Sequence, residues 1–313
     1  MSQLEFARLV QHGNAASQAG DLDGAIAFYR EARRLSPDNP SGPMLLGAAL
    51  ALKGDARAAV EAYREASRLQ PASAKVRHAL GEQLAKLGDL QGAAAQYQEL
   101  AKRAPESPLG WFLLGEVRLR LEQADAAHEA LAQAVALAPD FAPALNLLGL
   151  VLGMLGRGDE AIAAFERSLA AHPADAATRL NLANALLAAD RPEDALSHYE
   201  RLAGDHGGIV PFGRGSALAA LGRDMEAIAA FERALSLRPG WSEARQNLAW
   251  LHGRNGHLQE SERELDAVLR DHPNDFMAHL GRGIAAAERN DAAAATQEAR
   301  TLLSILEDAT TGA

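Results

Sequence analysis

One spacing governs this chain. Pro37, Pro71, Pro105, Pro139 and Pro173 stand 34 residues apart, as do Pro239 and Pro273, and the 66-residue gap from Pro173 to Pro239 is two short of two periods. A fixed period in this range means that one supersecondary unit is copied along the chain. Each copy can bury its apolar face only by stacking on the next. Other residues keep the same register. Twelve residues before each proline position lies a small residue, from Ala25, Ala59 and Ala93 through Ala227 to Ser261 and Ala295. Four residues later comes a large one: Tyr29, Tyr63, Tyr97, Leu131, Phe165, Tyr199, Phe231 or Leu265. All four tyrosines of the chain occupy that position. Further upstream a glycine or alanine recurs, from Gly13 and Gly47 to Ala249 and Gly283.

Spacing within one unit predicts two helices. In the second unit Leu46, Ala49 and Leu50 form a helical stripe, and Gly54 tolerates the left-handed conformation that ends it. A second stripe, Ala59, Tyr63 and Ala66, runs on until Pro71 stops it, because proline cannot continue the backbone ladder. A length of 313 residues would by itself suggest two domains. The period instead predicts nine hairpins in one array spanning 1–313, with repeats at 6–39, 40–73, 74–107, 108–141, 142–175, 176–207, 208–241, 242–275 and 276–309. The sixth has lost two residues, and Gly207 replaces its proline within the glycine-rich stretch 203–213, which reads either as a tolerated deletion with a loosened turn or as a hinge.

Composition narrows the function. Hydrophobic residues make up 48% and aromatics 5%, which suits alanine-rich helices better than sheets. A net charge of −10 argues against a nucleic-acid surface. The absence of cysteine removes thiol chemistry and disulfides. Phosphate-binding loops, a nucleophile elbow and metal-spaced histidines are not found, so neither catalysis nor a cofactor or metal is expected. The longest apolar stretch, Leu145 to Gly156, is too short to span a bilayer, and Met1 to Arg8 lacks the apolar core of a signal peptide. A cytoplasmic location follows, or a periplasmic one if a leader has been removed.

The segments Trp111 to Pro139 and Leu145 to Pro173 each carry a large residue, Leu-Gly, an alanine, an apolar packing residue (Leu131, Phe165), another alanine and a proline. This pattern resembles the tetratricopeptide repeat family, of bacterial type. The resemblance implies an all-α fold, a right-handed solenoid of helix-turn-helix repeats whose first helices line a concave face. It further implies that certain first-helix positions form a groove for a peptide or helix of a partner protein. Carried onto this chain, those positions are Asn14, Met44, Lys75 and His78 in the first three repeats. The middle repeats contribute Phe112, Glu116, Asn146, Met154, Asn181 and Asn184. The later ones contribute Phe212, Gln246, Asn247, Trp250 and Arg254. Apolar members would anchor side chains, and asparagine amides would bond to a partner's backbone.

A chaperone-tail carboxylate clamp is not expected. Asn14 and Lys75 match two of its places, but Val10, Leu45 and Ala79 cannot bind a carboxylate. The leading expectation is a non-enzymatic interaction scaffold. The alternative is a substrate-recruiting module of, or subunit for, an enzyme such as a transferase or hydroxylase whose catalytic part lies outside this chain. The last helix ends in Leu302, Leu303, Ile305 and Leu306 without a polar cap, which suits self-association into a homo-oligomer.

Overall fold

In a computed structural model that describes residues 2–311, the predicted hairpins are present and no strand occurs among the described residues. Up to Pro173 the chain forms one compact unit, and from Ala174 onward a second. The first unit holds five hairpins: α1 (Ser2–Gln18) with α2 (Leu22–Leu35), α3 (Ser41–Lys53) with α4 (Ala56–Leu69), α5 (Ala74–Lys86) with α6 (Leu90–Arg103), α7 (Pro108–Arg120) with α8 (Ala124–Leu137), and α9 (Ala142–Met154) with α10 (Gly158–Ala171). The second holds four: α11 (Ala176–Ala188) with α12 (Pro192–Glu200), α13 (Ile209–Ala220) with α14 (Asp224–Leu237), α15 (Ser242–Arg254) with α16 (Leu258–Asp271), and α17 (Phe276–Glu288) with α18 (Ala292–Thr311). No described helix is long and apolar enough to cross a membrane.

The register seen in the sequence is a packing rule. Glycine on the first helix lets the aromatic ring of the second approach its backbone closely. A Cβ built on Gly13 or Gly81 would sit 2.5 Å from a ring carbon of Tyr29 or Tyr97. Tyr29, Tyr63, Tyr97, Phe165, Tyr199 and Phe231 are all buried, as are the alanines four residues before them. Burial pushes the phenols of Tyr63, Tyr97 and Tyr199 up to about 12, with Glu82 adding to it at Tyr63 and Glu116 at Tyr97. Each hairpin then stacks on the next inside its unit. Second helices touch the following first helix, and first helices touch one another, as α3 does α5 and α15 does α17.

The shortened repeat resolves locally. Helix α12 spans nine residues where α10 and α14 span fourteen, and a short 3-10 turn at His206–Gly208 leads into α13. Gly207 and Gly208 have φ of 64° and 95°, so the lost residues are absorbed by a left-handed turn that side chains oppose. Arg233 ties the turn to α14 through Asp205 at 2.5 Å. This segment lies inside the second unit, and the boundary between the units falls earlier, at Pro173–Ala174.

Candidate functional site

The expected groove positions take different roles in the first unit. Asn14 accepts a hydrogen bond from the Tyr29 hydroxyl at 2.7 Å, so it orients a packing ring. Met44 and Glu116 are half-buried, and Lys75 is exposed. His78 lies 6.4 Å from the Tyr97 ring, and Phe112 lies 5.0 Å from Phe141. Asn146 is half-buried and engaged by a neighbouring group, whereas Met154 stands 58% exposed. A cleft of about 760 Å³ opens beside α7 and α8, and none of the expected groove residues lines it. Its Trp111 is committed to structure, donating from Nε1 to the Pro105 carbonyl at 3.1 Å.

In the second unit three of the expected residues are already engaged by other groups of the protein. Asn181 is engaged by a neighbouring group, and Asn184 accepts from the Tyr199 hydroxyl at 2.6 Å. Phe212 packs inward, stacked on Trp241 at 4.4 Å and set edge-on to Phe231 at 5.6 Å.

The remaining four converge. Gln246, Asn247, Trp250 and Arg254 occupy one face of α15 and line a cavity of about 440 Å³. The facing wall comes from α17 and the floor from Leu258, Ser261 and Leu265 of α16. Local chemistry sets the walls. Asp275 caps α17, accepting from the Ala278 amide at 2.8 Å, and Gln246 Nε2 donates to both its carboxylate oxygens at 2.9 Å. Gln246 therefore fastens α15 to the start of α17. Arg254 is held by Asp224, which also accepts from Asn255, and its guanidinium lies 4.3 Å from the Trp250 ring centre. The lips are apolar and open to solvent: Trp250 is 56% exposed, Met277 59% and Ile284 53%.

Met277, Gly281 and Glu288 were not singled out from the sequence as groove residues. Repeat register could have found two of them, since Met277 stands at the position of Lys75 and Glu288 at that of Lys86 and Arg254. Gly281 contributes by lacking a side chain, which residue-type searches do not register. Among the described residues no group of three or more metal-ligating side chains is assembled.

Stacked helical hairpins with solvent-facing apolar side chains on their first helices define the chain as a helical-repeat protein. Tetratricopeptide repeat models match residues 10–74, 44–108, 78–126, 112–176 and 247–310, and further models of the same repeat match 154–208 and 212–240. The chain belongs to the tetratricopeptide repeat family. A comparison with curated proteins found no match. Among solved structures, a tetratricopeptide repeat protein from Parabacteroides merdae is 18% identical with a TM-score of 0.57, covering 79% of this chain and 99% of that one. MamA from Desulfovibrio magneticus RS-1 is 21% identical with a TM-score of 0.51, covering 55% and 97%. The Cut9–Hcn1 structure is 17% identical with a TM-score of 0.55, covering 84% and 52%. At these identities the likeness concerns the fold.

Proposed function

We propose that this protein is a non-enzymatic interaction scaffold that binds a segment of a partner protein in the cleft between α15 and α17. One observation carries the reading: three large apolar side chains, Trp250, Met277 and Ile284, are more than half exposed around a single cavity. Exposed apolar surface gathered around a hollow is costly to keep wet and marks binding sites more often than solvated surface. Asn247, with an amide that both donates and accepts, lies among them and suits an extended backbone. The cavity's single carboxylate is Glu288, and no nucleophile–base pair lines it, which supports binding over chemistry.

The test is affinity capture with the full chain and with the double variant Asn247→Ala/Trp250→Ala, read by mass spectrometry. Partners retained by the native chain should be lost from the variant while its melting curve stays unchanged. An identical partner set for both proteins would count decisively against the cleft. Self-association through α18 is an accompanying reading, supported by Leu303 and Leu306 standing 60% and 49% exposed.

A further inference from the structure

The cavity exists because volume is missing at two stacked positions. On the first helices, the repeat position of Gly281 carries Leu45, Leu113, Leu147, Asn181 or Asn247 in five repeats, Gln11 in the first and Ala79 in the third. On the second helices, the position of Leu265 carries a tyrosine or phenylalanine in six other repeats. One further repeat has glycine at the first of these, Gly213, and there the Tyr199 ring takes the space: a Cβ on Gly213 would fall 2.4 Å from Tyr199 Cζ. Beside Gly281 the nearest atom to such a Cβ is Leu265 Cδ1 at 3.0 Å, the far end of a flexible side chain. The hollow is left open between Trp250 and Ile284.

Charge at the rim is one-sided. Arg254 is neutralised by Asp224 and laid over one face of Trp250. Glu288, the last residue of α17, has no ion-pair partner among the described residues, and it adds its carboxylate to the partial negative charge of that helix end. Glu288 lies two helical turns from Gly281, roughly 10 Å along the axis, a distance that about three residues of extended chain cover.

Resting on the cleft reading above, we propose that Gly281 is the specificity-determining residue of this pocket. The pocket takes a bulky apolar side chain of the partner (leucine, methionine or an aromatic), with a lysine or arginine within three residues of it meeting Glu288. Apolar burial against Trp250, Leu265 and Ile284 supplies the affinity, and the uncompensated carboxylate selects the neighbour.

A random peptide display library selected on the full chain tests this directly. The selected peptides should share a bulky apolar residue with a basic residue within three positions. Synthetic copies should bind Gly281→Leu about tenfold or more weakly, because the new side chain occupies the hollow. Leucine is a better helix former than glycine, so this variant should melt no lower than the native chain. Glu288→Gln should weaken binding about two- to fivefold and flatten its salt dependence. Peptides that bind Gly281→Leu as well as the native chain, or that carry acidic or no charged neighbours, overturn the proposal. If those peptides still lose binding to Trp250→Ala, the cleft reading survives alone; if no selected peptide responds to Trp250→Ala, both fail. A native dimer that Gly281→Leu converts to monomer would make a second copy the occupant and overturn the partner chemistry.

Discussion

A tyrosine in this chain is a packing device before it is a phenol. Tyr63, Tyr97 and Tyr199 lie against a neighbouring first helix with their phenols held near 12 by burial. In the unfolded chain the same groups ionise near 10. Between those values the folded state holds protons that the unfolded state has released, so stability falls as pH rises from 10 to 12 and is intact below 10. Denaturant midpoints measured from pH 9 to 12 should show this loss. Replacing all three with phenylalanine should flatten it, and Phe165 and Phe231 at the same repeat position show that the ring fits without its hydroxyl. Asparagine is reassigned at this scale too. Asn14 and Asn184 resemble groove amides in the sequence, yet each spends its Oδ1 on a tyrosine hydroxyl.

Among elements, the second helices differ in how they begin. Asp21, Asp55 and Asp89 cap α2, α4 and α6, each carboxylate accepting the amide three residues on. Helix α16 is preceded by His257 at its N-cap, whose side chain makes no cap, although its backbone (φ −85°, ψ 61°) lies close to that of Asp55 (φ −85°, ψ 74°). His257→Asp should therefore satisfy an orphan amide and place a negative charge at the helix start, stabilising the chain by about 1 kcal/mol. A urea midpoint that does not rise would show that α16 gains nothing from a cap. The benefit falls on the cleft, since α16 supplies its floor.

For the whole molecule, the two compact units each close their own core, around Tyr63 and Tyr97 in the first and around Phe231 and Leu248 in the second. The last helix leaves Leu303 and Leu306 facing solvent. If self-association covers them, light scattering on the native chain should give a mass above that of one chain. The variant Leu303→Glu/Leu306→Glu should then return it to one. Both side chains are exposed, so the variant should lose little stability, and an unchanged mass would end the self-association reading.

The hairpins and their core were legible in the sequence, because a 34-residue period repeats the same short-range demands: glycine under an aromatic ring, alanine at the crossing, proline at the end. The shortening near Gly207 was legible as well; its resolution into a left-handed turn inside the second unit was not. Of the fifteen expected groove residues, Gln246, Asn247, Trp250 and Arg254 meet at one cavity, and only the tertiary structure selects them. Periodicity places a residue on a face but says nothing of what its neighbours leave unfilled. Gly281 and Leu265 are ordinary substitutions when read singly. They open a pocket because the fold stacks one against the other, and an empty volume is a property of at least two elements at once.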